Sequence, residues 1–114
     1  MPLTYEFLVK KRAELFKSIG VNPDEYEKCL ELADKYNLSN SLVETFIIKL
    51  LDKACKNFQK SNHKLKKLSA SQTFIAVLRK ELNQHPENKE TIKKALQEAK
   101  NLYNLYNPKN SQKL

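Results

Sequence analysis

Apolar residues recur at intervals of three and four from one end of the chain to the other, and no stretch alternates apolar with polar between turn dipeptides. That period is helical, so the pattern predicts an all-α fold. A first segment spans residues 4–19, with Thr4 as its cap, Phe7, Leu8, Leu15, Phe16 and Ile19 on its apolar side, and Gly20 as its C-terminal stop. A second opens at Asn22, with Pro23 at the first helical position and Glu25 completing an Asn-x-x-Glu capping pattern, and it ends near Tyr36 and Asn37. The third starts at Ser39 or at Ser41, the latter forming a Ser-x-x-Glu box with Glu44. It carries Val43, Phe46, Ile47, Leu50, Leu51, Ala54 and Phe58, and as the most apolar segment it is expected at the centre of the fold.

Residues 60–68 show weak periodicity and read either as a charged loop or as an extension of the third helix. Ser69 or Ser71 then caps a fourth helix bearing Phe74, Ile75, Val77, Leu78 and Leu82, which the turn at residues 83–88 stops. The fifth, residues 87–106, places Ile92, Ala95, Leu96, Ala99, Leu102, Tyr103 and Tyr106 at heptad-like spacing before Asn107 and Pro108 end it. The expected architecture is a compact bundle of four to five helices in one domain over residues 1–106, followed by a flexible polar tail at 107–114.

Composition narrows what such a bundle does. A length of 114 residues suits one core, and a single glycine argues against Rossmann turns, P-loops and multi-hairpin folds. No apolar run approaches the roughly 18 residues that span a bilayer, and the opening Met1, Pro2, Leu3, Thr4, Tyr5 and Glu6 is not a basic region feeding an apolar signal core. A cytoplasmic protein without membrane partners is therefore expected. Cys29 and Cys55, both within helical patterns, read as buried free thiols; a disulfide between them would need an oxidising compartment.

The net charge of +8 is unevenly placed. Residues 1–48 hold 6 Lys+Arg and 8 Asp+Glu, a balance of −2, while residues 49–114 hold 15 and 5, a balance of +10. Acidic residues gather in the second segment as Asp24, Glu25, Glu27, Glu31 and Asp34. In the basic half, Lys49, Lys53, Lys56 and Lys60 recur at four, three and four residues, which sets them on one helical face, and Lys64, Lys66 and Lys67 extend the cluster. Such a face is either a solvated helix surface or a ridge that tracks phosphates. Arg79 and Lys80 are its candidate flankers, and the dominance of lysine over arginine favours backbone contact over bidentate base reading. Tyr5, Tyr103 and Tyr106 are the candidate stacking residues, although the spacing of the last two suits core packing.

Residues 29–48, from Cys29 to Ile48, resemble the helix-turn-helix unit of DNA-binding regulators. Ala33 is the small residue of the first helix, Tyr36 and Leu38 bracket the turn, Asn37 stands where glycine is usual, and Val43 and Phe46 take the inward positions of the second helix. The resemblance implies that Asn40, Ser41, Glu44, Thr45 and Ile48 face the major groove. Glu44 and the apolar pair Ile47 and Ile48 depart from a usual recognition helix.

Catalytic chemistry is sparse. His63 sits among lysines and His85 beside Pro86, neither next to a nucleophile, and the acidic residues lack His or Cys partners at ligand spacing apart from Cys29. A non-enzymatic protein without metal or cofactor is the expectation. Two functions follow: binding a polyanion, foremost DNA or RNA, through the lysine face; or serving as an adaptor or assembly subunit. In the second case the acidic second helix docks a basic partner, or the last helix supplies an apolar seam for a homo-oligomer. The basic half would equally suit an acidic protein surface.

Overall fold

Asn22 starts the first described helix by local chemistry: its side-chain oxygen accepts from the backbone N–H of Asp24 at 2.9 Å and of Glu25 at 3.3 Å, and Pro23 fills the position that needs no donor. The computed structural model describes residues 11, 14, 17, 20–61 and 68–108, with the side chains of 57–61 excepted. Within these residues there are four α-helices: α1 (Pro23–Lys35), α2 (Asn40–Ser61), α3 (Ala70–Gln84) and α4 (Lys89–Tyr106). A 3-10 turn, Pro86–Asn88, links the last two. Lys11, Glu14 and Lys17 are helical and Gly20 follows with φ 93°, but the remainder of the expected first helix and the tail at 109–114 lie outside the described residues.

Three of the described helix ends have an identifiable device. α1 ends in a Schellman motif: Leu38 N–H donates to the Ala33 carbonyl at 2.9 Å and Asn37 N–H to the Asp34 carbonyl at 3.1 Å. The motif needs a left-handed residue, and Asn37 supplies it with φ 51°. Ser39 rather than Ser41 caps α2, its hydroxyl accepting from Leu42 N–H at 3.2 Å. Ser69 rather than Ser71 caps α3, accepting from Gln72 N–H at 3.1 Å.

The expected Asn-x-x-Glu box is not formed. Glu25 does not reach back to its own cap; its carboxylate crosses to the N-terminus of α3. There it accepts from Ala70 N–H at 3.1 Å, Ser71 N–H at 3.3 Å, the Ser71 hydroxyl at 2.5 Å and the Ser69 hydroxyl at 2.9 Å. Asn107, just past α4, donates to the same carboxylate at 3.4 Å and to Ser69 Oγ at 3.2 Å. Glu25, Ala70 and Ser71 are fully buried, and Ser69 and Asn107 are half-buried at the edge. A negative charge at a helix N-terminus satisfies orphan N–H groups and opposes the helix dipole, which outweighs a cap that Asn22 already fills. Leu68 N–H donating to the Gly20 carbonyl at 2.9 Å, with a parallel bridge between Val21 and Leu68, sets the two helix starts side by side.

The core forms around three rings: Tyr26 stacks on Phe46 at 6.0 Å between centroids, and Phe46 meets Phe74 edge-on at 5.1 Å. Leu50, Leu78, Ile92 and Tyr103 complete it, each buried side chain worth about 1.5–3 kcal/mol. α3, not α2, occupies the centre: it packs on α1, α2 and α4, and its contact with α4 is the largest in the fold. Apolar content misled here because α2 leaves Ile48 exposed, whereas α3 buries Ala70, Ser71 and Thr73 alongside its larger residues. Small side chains let three neighbours approach one helix. At the α1–α4 seam, Lys35 Nζ pairs with Glu98 at 2.9 Å, the Tyr36 hydroxyl donates to Glu98, and the Tyr106 hydroxyl donates to Asp24. These bonds hold the Glu98 carboxyl below its ordinary pKa and push the Tyr106 phenol up to about 12.

Candidate nucleic-acid interface

Lys49, Lys53 and Lys56 are exposed on α2, and at about 100° per residue they fall within about 60° of one another. A rise of about 1.5 Å per residue spreads them over roughly 10 Å of helix. Lys56 is paired with Asp52 at 3.2 Å, whereas Lys49 and Lys53 make no ion pair among the described residues. Lys60 continues the line on the α2 backbone, its side chain outside the described set; Lys64, Lys66 and Lys67 lie outside the described residues altogether. Whether residues 62–67 prolong the helix falls there too.

The stripe borders α3. One turn before Lys49, Thr45 lines a groove of about 410 Å³ with Ser39, Ser41 and Leu42 on one wall and Lys80, Gln84 and His85 on the other. Lys80 thus stands across from Thr45, one turn before the lysine line, and Arg79 is exposed beside it. Neither has a carboxylate partner among the described residues, although Glu81 lines the same groove. His85 is held by acidic neighbours, Nδ1 at 3.2 Å from Glu87 and Nε2 at 3.8 Å from Glu81, and the bond lowers the Glu87 pKa after that carboxylate's own backbone contact.

The hairpin that resembles a helix-turn-helix has its turn at residues 36–39, with Ala33 and Phe46 buried and Val43 half-buried. Asn40, Ser41, Glu44 and Ile48 are exposed and Thr45 is half-buried. The Thr45 hydroxyl donates to the Ser41 carbonyl at 2.9 Å, and both residues line the groove toward α3. Of the five residues expected to face the major groove, Ser41 and Thr45 line that groove, and Asn40, Glu44 and Ile48 do not.

The acidic helix keeps few free carboxylates. Glu25 is buried, Asp24 holds Tyr106, and Glu31 pairs with Lys28 at 3.5 Å, leaving Glu27 half-buried and Asp34 exposed. On α4, Ile92, Ala95, Ala99 and Tyr103 are buried in this chain's own core and Leu102 is half-buried against it, while Leu105 is 69% exposed. Cys29 is buried as expected, and burial with Glu25 nearby pushes its thiol well above the usual range. Cys55 departs from expectation: it is exposed and unbonded, because its position on α2 falls outside the arc that packs on the core. No cluster of three or more His, Cys, Asp or Glu side chains that could hold a metal exists among the described residues. No helix among them is long and apolar enough to cross a membrane.

A second set of cations escaped the sequence reading. Lys89, Lys93 and Lys94 are exposed on α4 and Lys100 is half-buried, none with an ion-pair partner among the described residues. The spacing of Lys89, Lys93 and Lys100, four and seven, was the available signal; the heptad pattern of the same helix drew attention to its apolar side. No family model, curated protein or solved structure matches the chain.

Proposed function

We propose that the protein binds nucleic acid through phosphate contacts from Lys49, Lys53 and Lys56 on α2, flanked by Arg79 and Lys80 on α3. The observation that carries this reading is that Lys49 and Lys53 have no ion-pair partner among the described residues and follow Thr45, which lines the groove opposite Lys80, along α2. Asp52 offsets Lys56, but the remaining ammonium groups of the row displace condensed counterions from a polyanion, and lysine makes that contact without fixing a base. At physiological salt the screening length is about 8 Å, comparable to one turn of helix plus a side chain, so neighbouring lysines act together.

Fluorescence anisotropy with labelled duplex DNA, single-stranded DNA and RNA over roughly 50 to 300 mM salt tests it, because the log-log slope approximates the number of phosphates neutralised. Saturable binding that K49Q/K53Q weakens, with the slope reduced by about 2, is the expected result. Absence of saturable binding at the lowest salt refutes the proposal and leaves a protein partner as the leading account.

A further inference from the structure

α3 lies between α2 and α4 and touches both, whereas α2 and α4 share no comparable contact. α1 packs on α3 and α4 from one side. On α4 the residues turned to α1 are Glu98 and Tyr106, bonded to Lys35, Tyr36 and Asp24. At about 100° per residue, Lys89, Lys93 and Lys100 stand about 140–180° around the helix from Glu98, on the flank away from α1. α3 exposes Gln72, Ala76, Arg79, Lys80 and Asn83 as one stripe. Its groove wall at Lys80 faces Ser41, Leu42 and Thr45 of α2, and at about 100° per residue Lys49 lies about 40° around α2 from Thr45, one turn on. Three neighbouring helices therefore direct unpaired cations to the side that α1 does not cover. Packed helices run about 8–10 Å apart, so the α2 and α4 rows are roughly 16–20 Å apart across α3.

We propose that these rows form one basic face, Lys49 and Lys53, Arg79 and Lys80, and Lys89, Lys93 and Lys100, and that it fits the two phosphate backbones of a double-stranded nucleic acid. The inference rests on the function proposed above and adds its partner class. A single strand is neutralised by one row; two rows at this separation bracket the roughly 12 Å major groove and the backbones beside it. Single-strand binders also stack bases on exposed rings, and among the described residues this face offers none. Among the aromatic side chains described, Tyr26, Phe46, Phe74 and Tyr103 are buried, and the Tyr36 and Tyr106 hydroxyls bond across the α1–α4 seam. Asp52, Glu81 and Glu90 are the carboxylates adjacent in sequence to these rows; Asp52 pairs with Lys56, and none of the three pairs with a lysine of the face.

The test compares the full chain with K89Q/K93Q/K100Q and with the charge-conserving K89R/K93R/K100R. Anisotropy salt series use duplex DNA, duplex RNA and single-stranded DNA of equal length, with far-ultraviolet circular dichroism confirming the helices. Seven contacts predict a duplex slope of about −6, which the Gln variant reduces by about 3 and the Arg variant retains, with single-strand binding unaffected by either. Whichever duplex binds more tightly names its backbone geometry. Equal binding of duplex and single strand, with the Gln variant altering neither while K49Q/K53Q weakens both, overturns the two-backbone face and leaves the α2 ridge standing. No binding to any of the three probes overturns both.

Discussion

Replacing Glu25 by alanine removes a buried charge that serves three elements at once. Five donors lose their acceptor: the backbone N–H groups of Ala70 and Ser71, the hydroxyls of Ser69 and Ser71, and the Asn107 amide. The hydroxyls can rotate to other acceptors and Asn107 keeps Ser69 Oγ and the Tyr103 carbonyl, so the lasting loss falls on the two N–H groups. Leaving a buried donor unsatisfied costs about 1–3 kcal/mol. Loss of the charge at the α3 N-terminus adds about 0.3–2 kcal/mol. The sum is about 2–8 kcal/mol, a large share of the 5–15 kcal/mol typical of a small domain. With a urea slope of roughly 1–3 kcal/mol per molar, the unfolding midpoint falls by about 2 M, read by circular dichroism. Glu25→Gln keeps the shape but offers one acceptor oxygen and turns an amide donor toward N–H groups, so it loses about 2–3 kcal/mol. Glu27→Ala, at a half-buried position two residues on, stays within about 0.5 kcal/mol. If Glu25→Ala cost no more than Glu27→Ala, the carboxylate would not be holding the junction.

Tyr106 keeps its proton to a pH of about 12 in the folded protein because its hydroxyl is bonded to the Asp24 carboxylate. A raised folded pKa stabilises below the unfolded value near 10 and loses that contribution as pH climbs from there through 12; tyrosinate absorbance follows it, and Asp24→Asn returns the titration toward about 10. An aromatic disulfide reagent labels Cys55 in the native state and reaches Cys29 only on unfolding, giving one fast thiol and one slow; two fast thiols contradict the burial of Cys29. Asn37→Gly leaves stability within about 0.5 kcal/mol, whereas Asn37→Val, forced to φ 51°, loses about 1–2 kcal/mol in the same urea assay.

What could be read from the sequence was what neighbours in sequence decide. Asn22, Ser69, Gly20 and the left-handed Asn37 act within four residues, and each acts as its local pattern predicts. Glu25 followed the same local rule and broke it, since the N-terminus of α3, 45 residues away, presents more donors than its own cap does. The central helix was misplaced for a related reason: apolar content measures what a helix can bury, and centrality depends on how many neighbours it admits, which Ala70, Ser71 and Thr73 settle. In the candidate interface, the α2 lysine register was legible from spacing. That Lys80 stands across a groove from Thr45, one turn before Lys49, and that Asp52 neutralises Lys56, required the fold.

The junction at Glu25 also orders events in time. Its partners sit at residues 69–71 and 107, and Asp24 waits for Tyr106, each of these two contacts with α4's end spanning 82 residues of chain. A chain growing from its N-terminus can wind α1 early, yet Glu25 and Asp24 complete their bonds only after the last helix has been made. Closing so long a loop costs entropy before any contact returns it, so this connection forms late in folding. A fragment ending before Tyr106 keeps the side-chain caps of α1, α2 and α3 and the Glu98 bonds to Lys35 and Tyr36, but loses the Tyr106 and Asn107 ties at the start of α1.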